Sequence, residues 1–227
     1  MKILVVAAHP DDEVLGCGGT MARLSREGHE IFIAILGEGI TARYADRTAA
    51  DPVLLQELHD LARRAGARLG AKDVFLYHLP DNRFDTVPLL DIIKIVERLI
   101  VQHQPEVVYT HHQGDLNIDH AILARAVLTA ARPLPGQPIK ELYAFEIPSS
   151  TEWAFNQLGP IFQPNVFVNI SQTLDIKLSA MDLYEKEARP FPHPRSRQAL
   201  ISLAQRWGSA AGLPAAEAFS LIRRIDQ

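Results

Sequence analysis

In KILVVAAHPDDEVLGCGG, Lys2 to Gly19, an apolar run stops at His9 and is followed at once by Pro10, Asp11, Asp12 and Glu13. Adjacent carboxylates repel one another, and a divalent cation is an effective way to neutralise them. His9 and Asp12 are three positions apart at a strand-to-helix turn, so both can face one point. A second polar cluster, HHQGDLNIDH (His111 to His120), follows another apolar run and ends in a histidine that opens a helix. Two histidines and one carboxylate, with a position left for water, match the donor set of a catalytic zinc site. His9, Asp12 and His120 are therefore expected to bind Zn2+. Asp11 lies between two expected ligands and can take a proton from the metal-bound water, whose pKa falls to roughly 7 in well-formed sites. Pro10 fixes its own φ and stiffens the turn. Glu13 sits where a negative charge favours a helix N-terminus. An isolated HxxD would more often be structural, with the acids serving only that N-terminus. The pairing of two such clusters, each at the end of an apolar run, favours the metal.

Such a site needs a scaffold that brings two strand ends together. Lys2 to Ala7 is continuous and rich in β-branched residues, as suits a central parallel strand buried on both faces. Further strands are expected at Glu30 to Leu36, Asp73 to Leu79, Glu106 to Thr110, Glu141 to Ile147 and Asn165 to Ile170. Helices are expected at Thr20 to Glu27, Val53 to Leu69, Val87 to Gln102 and His120 to Arg132, and from a Ser171 cap to Glu187. The alternation of strand and helix predicts an α/β fold with a Rossmann-like doubly wound, mostly parallel sheet in three layers. RPFPHPR (Arg189 to Arg195) reads as a loop, and residues 1–227 as a single domain. In such sheets ligands bind beyond the carboxyl ends of the strands, near a topological switch point. The titratable residues concentrate in the four loops at that edge.

Composition narrows the partners. The 227 residues are 47% hydrophobic, enough for one sizeable core. With a net charge of −4 and no Lys/Arg cluster, the chain carries no basic face for nucleic acid. Its apolar runs are too short for a membrane span or a signal peptide. The single cysteine, Cys17, excludes an internal disulfide and suits a reducing compartment, so a cytoplasmic protein is expected.

AHPDDEVLGCGGT, PDNRFD and the distal GDLNIDH together resemble the LmbE/PIG-L family of zinc-dependent N-acetylglucosaminyl deacetylases. The resemblance implies His9, Asp12 and His120 as metal ligands and Asp11 as general base. It implies a small-molecule N-acetyl sugar or conjugate as substrate, and an oligomer as one arrangement of the chain. Some members carry a histidine three residues before the distal ligand, where this chain has Asn117. The job of that histidine, steadying an oxyanion or protonating the leaving amine, then falls to His112 or His193. Asn117 itself joins Arg43 and Arg83 as a candidate for binding substrate. Either guanidinium could hold sugar hydroxyls or a phosphate, or pair with Asp81, Asp85 or Glu38. Asp115 is expected either to orient a ligand histidine through its far ring nitrogen or to serve the turn at Gly114.

Three other functions fit parts of the pattern. GCGG after the first strand suggests a dinucleotide site, but Gly16, Gly18 and Met21 spell GxGxxM, and phosphates there would meet Asp11 and Asp12. The same donor set serves non-haem Fe(II) oxygenases. A non-catalytic sugar-binding module would keep the metal and release no acetate.

Overall fold

The computed structural model describes residues 1–226. Its sheet has seven strands: β1 (Lys2–Ala7), β2 (Glu30–Gly37), β3 (Asp73–Leu79), β4 (Val107–His111), β5 (Glu141–Phe145), β6 (Val166–Asn169) and β7 (Ala216–Arg224). They lie in the order β3-β2-β1-β4-β5-β7-β6. The first five in that order pair in parallel, and β7 is antiparallel to both β5 and β6. The helices are α1 (Asp12–Arg26), α2 (Pro52–Arg68), α3 (Leu89–His103), α4 (Ile118–Ala130), α5 (Leu174–Met181) and α6 (Arg197–Ala210). None of the described helices is long and apolar enough to cross a membrane.

Strand period sorts the core. Ile3, Val5 and Ala7 of β1 pack on one face, with residues of α1, α2 and α5. Leu4 and Val6, with Ala8 just beyond, pack on the other, against α3 and α4. Both faces of the sheet are thus covered, which gives the three-layer, mostly parallel α/β architecture expected from the alternation of elements. Successive connections wind outward from β1 in one direction and from β4 in the other. The crevice between the carboxyl ends of β1 and β4 is the topological switch point.

Several boundaries differ from the sequence expectation. Helix α1 begins at Asp12, not Thr20, and breaks at Cys17, where φ is −147°. Three glycines, at 16, 18 and 19, argue against a helix there on propensity alone. Packing overrides it: a Cβ at Gly16 would collide with the Phe145 ring. Beyond the break, the N–H groups of Gly19 and Thr20 donate to the buried Glu217 carboxylate at 3.0 and 2.7 Å. Lys177 Nζ donates to Glu217 Oε1 at 2.6 Å and to the Leu15 carbonyl at 2.8 Å, so this ion pair is fully engaged. Helix α5 ends at Met181 rather than Glu187. Ser171 does not cap it, because its N–H and hydroxyl both donate to Asn169 Oδ1. Helix α4 starts two residues before His120, capped by Asn117 Oδ1, which accepts from the Asp119 N–H. The pair α6 and β7 has no counterpart in the expected elements.

Candidate metal centre

His9 follows the end of β1 and Asp12 opens α1, while His120 lies in the first turn of α4, after β4. The fold brings all three to one point. Asp12 Oδ2 lies 3.4 Å from His9 Nδ1 and 3.1 Å from His120 Nε2. Two donors held tetrahedrally at about 2.1 Å from one ion are about 3.4 Å apart. The two separations from Asp12 are close to that edge length, and all three donor atoms lie within 4.8 Å of one another. Among the described residues, neither ring nitrogen of the buried His120 takes part in a hydrogen bond. The donor set therefore fits a small divalent metal.

A carboxylate lies beyond the far nitrogen of each imidazole. His9 Nε2 donates to Asp119 Oδ2 at 2.9 Å, with Asp81 Oδ1 at 3.2 Å. His120 Nδ1 lies 3.2 Å from Asp115 Oδ1. A proton held on each far nitrogen leaves the near nitrogen of a neutral ring as a lone-pair donor. Asp119 also accepts the N–H groups of Asn82 and Phe84 at 2.7 and 2.9 Å, which ties the loop after β3 to the site. His9, Asp81 and Asp119 converge as well, but the hydrogen bonds on Asp119 commit both its oxygens. Asp115 is held by the hydroxyls of Ser150 and Thr151. His111 stacks on His120 with ring centroids 3.9 Å apart, and its Nε2 accepts the Ala8 N–H.

The local charges follow from burial and pairing. Burial opposes the ionisation of Asp12, but His120 and His9 outweigh it and hold its carboxyl well below the usual range. Burial lowers both histidines, yet Asp119 and Asp12 push His9 up to about 10. Asp12 and Asp115 push His120 up to about 9. His111 is held neutral by burial and by the neighbouring His120. Asp11 is pushed well above the carboxylate range by burial, against the pull of Arg195.

Asp11 sits in left-handed backbone, φ 106°, which a non-glycine residue adopts at a cost of about 1–3 kcal/mol. The surroundings hold it there. Its N–H donates to Glu13 Oε2 at 3.0 Å, and its carbonyl accepts from Val14 and Leu15 at 3.0 and 2.9 Å. Glu13, expected only to favour the helix N-terminus, is fully buried, and its Oε1 accepts from Tyr184 Oη at 2.7 Å. On its outer side, Asp11 Oδ2 accepts from Arg195 Nη1 at 2.6 Å.

A cavity of about 210 Å³ opens over this group, lined by His9, Asp11, Asp12, His120, Arg195 and Asn117, among others. Arg43 lines it too, but pairs with Glu187 at 2.5 and 2.6 Å rather than with Asp81, Asp85 or Glu38. Glu38 is taken by Arg47 and Thr41. Arg83 is exposed and does not line this cavity. His112 and His193 do not line it either. His112 Nε2 meets the Pro160 carbonyl at 2.7 Å, in a separate cavity. His193 Nδ1 accepts the Arg195 N–H, with its ring against Trp153. Beside Asp11 stands Arg195 instead, a residue without a role in the sequence reading.

Residues 4–131 match the family described as GlcNAc-PI de-N-acetylase, PIG-L. The chain belongs to this family. It is 29% identical over 185 residues to the uncharacterized deacetylase YaiS of Escherichia coli K12, covering 79% of this chain and 88% of that one. It is 26% identical to the probable N-acetyl-alpha-D-glucosaminyl L-malate deacetylase 2 of Bacillus cereus, covering 82% of this chain and 83% of the relative. Among solved structures, N,N'-diacetylchitobiose deacetylase from Pyrococcus horikoshii has a TM-score of 0.78 at 18% identity, over 98% of this chain and 84% of its own. GalB, the 4-carboxy-2-hydroxymuconate hydratase of Pseudomonas putida KT2440, has a TM-score of 0.77 at 22% identity, over 100% and 98%. The fold thus carries more than one chemistry, and function has to be argued from the site.

Sequence reasoning missed Arg195, Asp119 and Glu187 at this site. A signal for Arg195 was present: three prolines, at 190, 192 and 194, lead directly into it. Each fixes its own φ, and so many together mark a segment held in one shape rather than a slack connection.

Proposed function

We propose that this chain is a zinc-dependent hydrolase that removes the acetyl group from a 2-acetamido sugar or sugar conjugate. The observation that carries this reading is the convergence of His9 Nδ1, Asp12 Oδ2 and His120 Nε2 beside an Asp11 carboxylate in one open cavity. Zinc held by these three would supply a polarised carbonyl and a water made acidic enough to deprotonate near neutral pH. The deacetylase names of the relatives agree with that chemistry. The same donors suit iron, but an amide-hydrolysing role gives Asp11 a task that an oxygenase would leave idle.

Asp11 Oδ2 is tied to Arg195, so Oδ1 is the oxygen that takes the proton of the attacking water. The same oxygen then returns the proton to the departing amine, leaving acetate and a free amino sugar. Burial raises the affinity of Asp11 for a proton, which suits a base that must also act as an acid. Arg195 restrains that carboxylate and balances its charge. Arg43 and Asn117 line the cavity and offer N–H donors to sugar hydroxyls. His112 and His193 have no part in this scheme.

The test is acetate release from a panel of N-acetylated sugars and glycosides by the zinc-loaded protein, with Asp11→Asn as control. Wild type should release acetate, while Asp11→Asn keeps its zinc and loses roughly 10²–10⁴ in rate. No acetate from any substrate, or wild-type turnover by Asp11→Asn, would overturn the reading.

A further inference from the structure

A second cavity, of about 120 Å³, adjoins the catalytic one. Ile40, Arg43, Leu58 and Glu187 line both. Beyond that shared wall the second cavity is apolar, built from Tyr44, Leu54, Leu61 and Tyr184. Tyr184 has its hydroxyl engaged by Glu13, so its ring is what remains to form a wall. Charge is confined to the rim, where Arg43 pairs with Glu187 at 2.5 Å and Lys186 lies 3.7 Å from Glu57. Ile40, at the junction, is held in left-handed backbone, φ 55°. A β-branched residue adopts this region rarely. A strained apolar side chain dividing a polar cleft from an apolar recess invites a functional explanation.

The direction of the recess says which end of a substrate reaches it. In the proposed reaction Asp11 protonates the departing amine, so the amine and its sugar lie on the Asp11 side. Arg195, Glu187 and Arg43 form a chain of ionic contacts from Asp11 to the rim of the recess. The recess therefore lies past the amine portion, away from the acyl carbon at the metal ligands. Its volume suits a small group, since an engineered cavity of about 150 Å³ accepts benzene.

Resting on the deacetylase reading, we infer that the substrate is a glycoside whose amino sugar carries a short apolar aglycone, alkyl or aryl, and that this cavity binds it. Burying one methylene is worth roughly a fourfold gain, so three extra methylenes give at most about sixty-fold. With part of the group left in the open mouth, about tenfold is expected.

Two measurements test this together. The first compares kcat/KM for acetate release from the methyl and n-butyl glycosides of N-acetylglucosamine. The second compares Kd, by calorimetry, for the methyl and n-butyl glycosides of glucosamine, the products, which needs no turnover. The butyl compounds should win by about tenfold in both. Leu54→Gln, which makes one wall polar, should bring the ratio in Kd close to one. If no acetate is released but the butyl amine still binds about tenfold tighter, the deacetylase reading fails and the apolar subsite stands. Equal Kd values for the two amines overturn the subsite, whatever the turnover. A gain that follows a longer N-acyl chain instead of the aglycone also overturns it.

Discussion

Replacing Arg195 with glutamine removes the cation bonded to the proposed base. Asp11 is almost fully buried and Arg195 is 21% exposed, with Nη1 2.6 Å from Asp11 Oδ2. Two unit charges about 4 Å apart interact by about 4 kcal/mol at an effective dielectric near 20. Relaxation and the partial exposure of Arg195 reduce this by about half, and about 2 kcal/mol corresponds to about 1.5 pKa units. The sign follows from the base's role. Burial already raises the Asp11 carboxyl and Arg195 holds it back, so losing Arg195 raises it further. Asp11 must be ionised to accept a proton, and activity falls as pH drops through its pKa. The acid limb of kcat/KM should therefore move to higher pH by about 1.5 units in Arg195→Gln. Arg195→Lys keeps the charge and should leave the acid limb close to that of wild type. The assay is acetate release across pH at matched zinc content. An acid limb for Arg195→Gln that superimposes on wild type would refute the reasoning, because a residue that only packs against the loop would leave that limb in place.

The other predictions concern the metal and the scaffold. Asp119→Ala should weaken zinc binding by roughly 10–100-fold in chelator competition, because His9 Nε2 loses its nearer acceptor; an affinity within twofold of wild type would argue against that support. Zinc binding at pH 7 should release close to two protons. Burial pulls both histidines down, but their carboxylate neighbours hold His9 near about 10 and His120 near about 9, so both are protonated without metal and must be neutral to ligate. Apparent affinity should then rise with pH, and calorimetry in buffers of different ionisation enthalpy that finds no proton release would contradict this. Glu217→Ala should cost about 3–5 kcal/mol in urea unfolding, since it strands the buried Lys177 and the N–H groups of Gly19 and Thr20; a loss under about 1 kcal/mol would mean that water replaces the carboxylate.

What the sequence made legible was local. Lys2 to Ala7 reads as a strand because a parallel strand covered on both faces needs apolar side chains at every position. The convergence of His9, Asp12 and His120 could be anticipated because two of them share one turn and the third opens the next helix across the switch point. What escaped depends on contacts between distant segments. Asp11 and Arg195 are 184 positions apart, and nothing near either one names the other. Strand β7 enters the sheet between β5 and β6, an insertion that no local periodicity encodes. His111 and His112 show the limit most plainly. Neighbouring side chains at a strand end point to opposite sides, so His111 stacks on His120 while His112 meets Pro160. The choice between them is invisible without the register of β4.

In the proposed site His9, Asp12 and His120 jointly grip one divalent ion. X-ray absorption at the zinc edge of the protein loaded with one equivalent tests it most directly. The account predicts nitrogen and oxygen donors only, at about 2.0–2.2 Å, with outer-shell scattering from two imidazoles that falls to one in His120→Ala. Sulfur in the first shell, or imidazole scattering unchanged by that substitution, would contradict it.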